Sequence, residues 1–219
     1  MIVCAWLNGS PDPHYGGHRV ADRSELHLLE STSDHRVTVL TDCLPAGVDG
    51  PVEFVTVEPL GGNPYFDRWR HLHAWLEGRD DFVWATDAND VRLLNDPYPD
   101  WLRVRHLLYV GSEPTDGPNA RSVGFWWMRG LHPDHAEWID ANADLPLLNA
   151  GIVGAHAPVL REFVGSLLEA FEGVTDVTEM AAINKVLYER WDLRVTGYPV
   201  HTPMWSFTTA DPRAIWAHK

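Results

Sequence analysis

Short apolar runs alternate with amphipathic segments along this chain. Apolar runs of strand length occur at residues 2–7, 37–40, 52–57, 82–86, 107–111, 147–155 and 193–196. Segments with apolar positions three or four apart, as on one face of a helix, occur at residues 19–29, 65–76, 158–171 and 176–191. Strands and helices in alternation, without an internal repeat, predict an α/β sandwich with a mainly parallel central sheet flanked by helices.

The length and the composition favour one domain. The chain has 219 residues, of which 45% are hydrophobic and 22% charged, and it contains no linker rich in Pro, Gly and Ser. No run approaches the ~20 apolar residues that span a bilayer, and residues 1–7 lack the basic region and the length of a signal peptide. We therefore expect a cytoplasmic protein without a membrane partner.

The charge and the tryptophan content narrow the classes of ligand. Acidic residues outnumber basic ones 31 to 17, and the formal net charge of −14 argues against unspecific attraction to nucleic acid or anionic membranes. The chain also contains 11 Trp. Core packing accounts for most of them, but exposed indole faces also stack on the apolar faces of sugar rings.

An acidic cluster follows the apolar run at residues 82–86. Asp87, Asn89 and Asp90 place three oxygen-bearing side chains within four residues. Such side chains often form only a turn, because they hydrogen-bond their own backbone. They are also the ligands that Mg²⁺ and Mn²⁺ prefer. The cluster on its own is compatible with both interpretations.

Other polar residues also follow strands of the predicted sheet. Asn8, Asp42 and Glu113 each come after an apolar run, and ligands of α/β sheets bind outside the carboxyl ends of the strands. Asp42 could accept a hydrogen bond from a base or a ribose, although a role in a cap or turn fits equally well. No Ser or Cys stands in a nucleophile elbow, so metal-assisted handling of a phosphorylated ligand is favoured over acyl transfer.

Residues 112–146 lack a clean periodicity and are rich in Pro, Asp, Gly and aromatic residues. Irregular segments of this length inside a compact domain tend to be functional loops. Trp126 and Trp127 in this region could form a platform for a ligand or pack in the core. The His-Pro-Asp-His run at residues 132–135 has a spacing compatible with a metal pair, but its Pro-Asp step favours the start of a helix.

Four short motifs occur in a characteristic order over nearly the whole chain. They are Phe-Val-Trp-Ala-Thr-Asp-Ala-Asn-Asp-Val at 82–91, Leu-Leu-Asn-Ala-Gly-Ile at 147–152, Thr-Glu-Met-Ala-Ala-Ile-Asn at 178–184, and His-Lys at 218–219. In this order they resemble the GT-A fold glycosyltransferases that use nucleotide sugars. The resemblance implies a single GT-A, Rossmann-like domain, with a nucleotide-binding half at residues 1–110 and an acceptor and sugar half at residues 111–219.

The resemblance also implies roles for individual residues. Asp87, Asp90 and His218 would bind Mn²⁺ or Mg²⁺, which bridges the two phosphates of the donor. Glu179, or its rival Asp176, would be the acid at the reaction centre. Further contacts with the nucleoside-diphosphate sugar are expected from Asn8, Asp42, Arg68, Thr86, Asn89, Asn149, Gly151 and Lys219. Contacts with the acceptor, which could be a small molecule, a glycan, a protein or a modified nucleic acid, are expected from Glu113, Trp126 and Trp127.

Two details of this site stay open. A strict Asp-x-Asp motif would need an acid where the chain has Asn89, so the metal site is either Asp87 with Asp90 or Asp87 with Asn89. The Asn-Ala-Gly and late His-Lys elements resemble retaining members of the family more than inverting ones. In an inverting enzyme, Glu179 or Asp176 would be the base that deprotonates the acceptor.

Two other functions remain as alternatives. One is a non-catalytic sugar- or nucleotide-binding module, which the imperfect acidic motif supports. The other is a sugar nucleotidyltransferase, which would usually carry a basic, Gly-rich loop after the first strand. Residues 8–17 contain no Lys or Arg, so they do not provide such a loop.

Overall fold

A computed structural model gives the fold and describes residues 1–14, 16–18, 27–44, 52–115, 120–203 and 211–218. The strands are β1 (Ile2–Trp6), β2 (Val37–Thr41), β3 (Val52–Thr56), β4 (Phe82–Thr86), β5 (Val91–Leu93), β6 (Leu108–Ser112), β7 (Leu148–His156), β8 (Arg194–Thr196), β9 (His201–Pro203) and β10 (Trp216–His218). The α-helices are α1 (His27–Ser31), α2 (Pro64–Trp75), α3 (Trp126–Leu131), α4 (Ala136–Ala141), α5 (Ala157–Ala170) and α6 (Met180–Arg190), and short 3₁₀ helices lie at Asp100–Arg103 and Pro133–His135. This mixture of strands and helices confirms the predicted α/β class.

Seven of the strands form one central sheet in the spatial order β3-β2-β1-β4-β7-β6-β8. β1 pairs in parallel with β2 and β4, β2 pairs in parallel with β3, and β6 pairs in parallel with β8. β7 is antiparallel to both of its neighbours, β4 and β6. The sheet is therefore mainly parallel, as predicted. Because β7 runs in the opposite direction, its first residues lie at the edge where β4 and β6 end.

A second sheet of three strands joins distant parts of the chain. β10 pairs antiparallel with β5, with His218 opposite Val91, and it pairs in parallel with β9, with His218 opposite Pro203. β5 begins directly after the acidic cluster of residues 87–90. This pairing brings His218 to the carboxyl end of β4.

The central sheet is packed on both faces, because successive residues of a strand point to opposite sides. On β4, Val83 and Ala85 belong to the apolar layer that includes α2, α5 and α6, whereas Trp84 belongs to the layer on the other face. The contribution of α5 comes from buried side chains at helical spacing, which include Leu160, Phe163, Val164 and Leu167. Burial of these apolar surfaces is the main force that holds the sheet and the helices together.

One predicted helix begins later than expected, and another is described only in part. The helix expected at residues 176–191 begins at Met180, because Asp176 and Val177 are hydrogen-bonded to Asp134 and Asn63 instead of forming a helical turn. For the helix expected at residues 19–29, the structure describes only residue 27 onwards, which belongs to α1 (His27–Ser31), and residues 19–26 lie outside the described part of the chain.

The irregular region at residues 112–146 contains more helix than its sequence pattern predicts. It includes α3, α4 and a 3₁₀ helix that begins at Pro133, as the Pro-Asp step predicts. These helices have between three and six residues, which is too short to give a recognisable apolar period. Within the described residues, no helix has both the length and the apolar character needed to cross a membrane.

Candidate functional site

A cavity of about 660 Å³ opens where β1, β4 and β6 end and β7 begins. The predicted site residues that line it are Arg68, Asp87, Asn89, Asp90, Glu113, Trp126, Trp127, Asn149, Gly151, Glu179 and His218. They are far apart in sequence and meet because the carboxyl ends of parallel strands gather at one edge of the sheet. A cavity of this volume is in the size range of small-molecule and cofactor sites.

Asp87, Asp90 and His218 form a group of possible metal ligands on the wall of this cavity. One ligand atom from each side chain lies within 4.8 Å of the others. His218 Nε2 lies 3.7 Å from Asp87 Oδ2 and 3.6 Å from Asp90 Oδ1. Two carboxylates and one imidazole suit Mn²⁺, and the carboxylate oxygens also suit Mg²⁺.

The surroundings of these three side chains fit a cation. Asp90 Oδ1 and His218 Nε2 are buried, and neither atom has a hydrogen-bond partner among the described residues. The two atoms lie 3.6 Å apart, beyond hydrogen-bond distance, and a cation bound to both would give each of them a closer partner. Gly151 keeps the space between them open, because a Cβ atom there would lie 2.6 Å from His218 Nε2 and 2.9 Å from Asp87 Oδ2.

The two carboxylates also control the protonation of His218. Burial alone would lower the pKa of His218, but its contacts with Asp87 and Asp90 and their charges outweigh burial and raise the pKa to about 10. Without a bound ion, the imidazole is therefore a cation at neutral pH and partly balances the carboxylates. A metal ion would replace this proton, since imidazole binds metals in its neutral form.

Arg68 joins two acidic residues in the cavity. Its Nη1 donates to Asp87 Oδ1, and its Nη2 donates to Glu179 Oε1. Burial opposes ionisation of Asp87, but Arg68 and His218 outweigh burial and hold the pKa of Asp87 well below its usual range. Glu179 is 4% exposed, and there burial outweighs Arg68 and raises the pKa of Glu179. The two carboxyl groups therefore differ in acidity although they share one arginine.

Asn149 and Gly151 form the wall that β7 contributes. Asn149 Oδ1 accepts a hydrogen bond of 2.7 Å from the Gly151 N–H, and Asn149 Nδ2 donates one of 2.5 Å to Glu113 Oε1. Glu113 Oε2 lies 3.2 Å from Arg121 Nη1. The Asp87 N–H donates to the Gly151 carbonyl at 2.8 Å. Direct hydrogen bonds thus hold the Asn-Ala-Gly segment against the acidic cluster.

α3 carries two adjacent tryptophans at the cavity. Trp126 is 80% exposed, whereas Trp127 is half-buried and packs beside a small apolar cluster around Met128. Both side chains line the cavity. Trp127 therefore serves partly as a core residue, which was one of the two interpretations of the sequence, while Trp126 does not pack in the core.

Other predicted donor contacts lie outside the cavity. Asp42 accepts hydrogen bonds of 2.7 Å from the N–H groups of Asn8 and Gly9, so its carboxylate fixes the loop after β1, as the turn interpretation allows. Neither Asn8 nor Asp42 lines the cavity, and Thr86, at the end of β4, does not line it either. Lys219 lies outside the described residues.

Asp176 also lies away from the cavity. It is 2% exposed, its Oδ1 accepts a hydrogen bond of 3.0 Å from the Asp134 N–H, and its Oδ2 lies 2.5 Å from His135 Nδ1. His132 Nδ1 lies 3.6 Å from the same oxygen. Asp176 therefore anchors the 3₁₀ helix that follows α3. This geometry argues against a catalytic Asp176 and leaves Glu179 as the one of the two candidate acids that lines the cavity.

Several residues of the cavity wall were not predicted. They include Asp12, His14, Tyr65 and Arg121. Asp12 is 2% exposed, and the Tyr65 hydroxyl lies 3.2 Å from each of its carboxylate oxygens. The position of residues 8–17 directly after the first strand is a signal for Asp12 and His14. Tyr65 and Arg121 carry no such signal, since one opens a helix and the other lies in the irregular region.

The sequence was compared with models of protein families and with curated proteins, and neither comparison found a match. The chemistry of the cavity is therefore the basis for assigning a function.

Proposed function

We propose that the chain is a metal-dependent glycosyltransferase that moves a sugar from a nucleoside-diphosphate donor to an acceptor. The observation that carries this proposal is the group of Asp87, Asp90 and His218 on the wall of a cavity of about 660 Å³. The four sequence motifs support it as well, because each of them contributes residues to this one cavity.

The charges of the cavity favour a donor that binds together with a cation. The acidic residues of its wall are Asp12, Asp87, Asp90, Glu113 and Glu179, and the arginines are Arg68 and Arg121. Both arginines are already paired with carboxylates of the wall, so a bare nucleoside diphosphate would meet an excess of negative charge. Asp87, Asp90 and His218 would hold the cation, which when bound neutralises the diphosphate leaving group as a Lewis acid.

Arg68 and Glu179 are suited to the reaction centre. Burial raises the pKa of Glu179, and the charge of Arg68 opposes that rise. A carboxyl group whose pKa is moved towards neutrality is better suited to exchange a proton at physiological pH. In an inverting reaction Glu179 would accept the proton of the acceptor. In a retaining reaction, which the family resemblance favours, Glu179 would orient the donor sugar.

Thermal stability in the presence of nucleotides tests the proposal. We expect UDP, GDP or TDP to raise the melting temperature in the presence of Mn²⁺ or Mg²⁺ and to leave it unchanged in EDTA, because a ligand that binds the native state stabilises it. Each metal without nucleotide is the reference for each shift. The proposal is wrong if none of the three diphosphates shifts the melting temperature with either metal.

A non-catalytic sugar- or nucleotide-binding module is the second candidate. The observation that favours it is the pairing of Arg68 with both Asp87 and Glu179, which occupies carboxylates that catalysis would need. Slow hydrolysis of a sugar nucleotide separates the two functions. For an enzyme, we expect Glu179→Gln to lose hydrolysis and to keep the metal-dependent thermal shift. A wild-type protein that binds a donor but neither hydrolyses nor transfers its sugar would be a binding module.

A further inference from the structure

We infer that one end of the cavity, formed by Glu113, Arg121, Trp126 and Trp127, binds an uncharged sugar ring as the acceptor. These four residues are called the aromatic subsite below. The inference rests on the proposed function, since it names the class of acceptor for the same cavity. It differs from that proposal in depending on the groups around α3 and not on the metal ligands.

The aromatic subsite contains one indole, that of Trp126, which does not pack in the core. Trp126 is 80% exposed, which is the largest value among the exposed large hydrophobic side chains of the described residues. Its ring lies 6.0 Å from the ring of Phe125, which in turn lies 6.2 Å from the ring of Trp127. Phe125 packs against the apolar cluster around Met128 behind the two tryptophans, and Trp126 and Trp127 themselves line the cavity. The C–H face of a sugar ring is a flat apolar surface that can cover such an indole.

The helix that carries both tryptophans, α3, is held in place by its packing. Met128 is fully buried in a small apolar cluster with Val123 and Ile139, and Trp127 packs against that cluster. The Val123 N–H donates to the Leu145 carbonyl at 2.9 Å, which fixes the segment that leads into α3. The backbone of α3 is therefore fixed before a ligand arrives, and ordering of the exposed Trp126 side chain is the conformational cost that remains.

Glu113 and Arg121 add polar contacts without adding net charge. Glu113 Oε2 lies 3.2 Å from Arg121 Nη1, and the guanidinium of Arg121 lies 5.3 Å from the centre of the Phe125 ring. A carboxylate only accepts hydrogen bonds and a guanidinium only donates them. Sugar hydroxyl groups do both, so a neutral pair of this kind beside an aromatic surface matches a ring that carries several hydroxyl groups.

Charge selects against ionised acceptors. With the cation bound, the diphosphate of the donor is the excess negative charge in the cavity, and it would repel a phosphate or carboxylate group on the acceptor. A cationic acceptor would have to compete with Arg121 for Glu113 and with Arg68 for Glu179. An uncharged sugar would be neither repelled by negative charge nor required to displace an arginine from its carboxylate.

Binding of neutral saccharides tests the inference. The wild-type protein, with Mn²⁺ and the nucleoside diphosphate that gives the largest thermal shift, would be titrated with methyl glycosides of glucose, galactose and mannose and with their disaccharides. Tryptophan fluorescence and saturation-transfer NMR would report binding. We expect at least one of these saccharides to bind, Trp126→Ala to weaken its binding by about tenfold or more, and Trp126→Phe to restore part of the affinity. Trp101→Ala is the matched control, because Trp101 is also exposed, at 43%, and does not line the cavity.

The outcomes separate this inference from the proposed function. If the nucleoside diphosphate shifts the melting temperature but no neutral saccharide binds, the inference is wrong and the proposed function stands. If the nucleotide shift itself is missing, the proposed function fails, and the same saccharide titration without nucleotide decides whether the aromatic subsite binds sugars. Unchanged binding in Trp126→Ala, or tighter binding of glucuronate or glucose 6-phosphate than of methyl glucoside, would overturn the inference.

Discussion

Replacing Gly151 with alanine is the most direct perturbation of the candidate metal site. Gly151 does not have a positive φ, so its backbone can accept alanine without strain. The added Cβ atom would lie 2.6 Å from His218 Nε2, 2.9 Å from Asp87 Oδ2 and 3.0 Å from Asn149 Oδ1. The methyl group would therefore crowd the ligand atoms from inside the space that a cation needs.

The expected size of the effect follows from the linkage between binding and stability. In the wild type, Mn²⁺ at 100 times its dissociation constant should stabilise the native state by about 2.7 kcal/mol. For a chain of 150–250 residues this corresponds to a rise in melting temperature of roughly 5–11 °C. Loss of a residue that supports metal ligands weakens metal binding by up to about 100-fold. If the methyl group weakens Mn²⁺ binding by this factor, the same Mn²⁺ concentration should stabilise the native state by only about 0.4 kcal/mol, which raises the melting temperature by roughly 1–2 °C.

Calorimetric titration with Mn²⁺ and thermal melts with and without Mn²⁺ would measure this difference. Circular dichroism of Gly151→Ala should match the wild type, apart from a loss of stability of about 1–3 kcal/mol from crowding in the core. Gly130→Ala is the matched control, because a Cβ atom at Gly130 meets no other atom within 4 Å and Gly130 has no positive φ either. If a folded Gly151→Ala binds Mn²⁺ within about threefold of the wild type, the cation does not bind between Asp87 and His218, and the reasoning about this site fails.

Three further predictions concern the surroundings of the site. Asp90→Asn should abolish the metal-dependent thermal shift given by a nucleoside diphosphate, whereas Asn89→Ala should keep it; the reverse result would make Asn89 the partner of Asp87. Asp176→Asn should lower the free energy of unfolding in urea by about 1–3 kcal/mol, because Asp134 and His135 lose a carboxylate acceptor, and should leave Mn²⁺ affinity unchanged. Lost Mn²⁺ binding with unchanged stability would instead put Asp176 in the metal site. Burial lowers the pKa of His132 from 6.5 to about 4. Between these two pH values the unfolded chain binds more protons than the native state, so the free energy of unfolding should decrease as the pH falls from about 6.5 to about 4. In His132→Gln this part of the pH dependence, on the order of 1–3 kcal/mol, should disappear from urea titrations, while substitution of the exposed His106 by Gln should preserve it.

The parts of the fold that sequence predicts are those with long, regular patterns. α5 was recognisable because its buried side chains recur at three- and four-residue spacing over 14 residues. The three-residue strands β5 and β10 have no such pattern, and they pair across more than a hundred residues of sequence. No local preference encodes that contact, so the sequence alone could associate His218 with Asp90 only through the family resemblance.

In the candidate site, too, sequence predicts the residues with a local pattern and misses those that depend on tertiary contacts. Asp87 and Asp90 are visible in sequence because they follow a buried strand directly, which places them at the binding edge of any parallel sheet. Glu179 and Asp176 could not be separated, because both precede the same helix and differ only in tertiary contacts. In the structure, the Asp176 carboxylate is bound to His135 and holds the 3₁₀ helix Pro133–His135 in place. The role of Asp42 was similarly undecided in sequence, and its hydrogen bonds to the loop after β1 show that its carboxylate is used by the fold.

The ionisable groups of the site act as one set instead of as separate pairs. Asp87 contacts Arg68 through Oδ1 and approaches His218 through Oδ2, so its charge is shared between two cations. With Asp87, Asp90 and Glu179 ionised, and Arg68 and His218 protonated, the set carries one net negative charge. Exchange of the His218 proton for a divalent cation would bring this charge to zero. The phosphates of a donor would then meet a neutral wall, which is the electrostatic reason to expect the cation to bind before or together with the nucleotide.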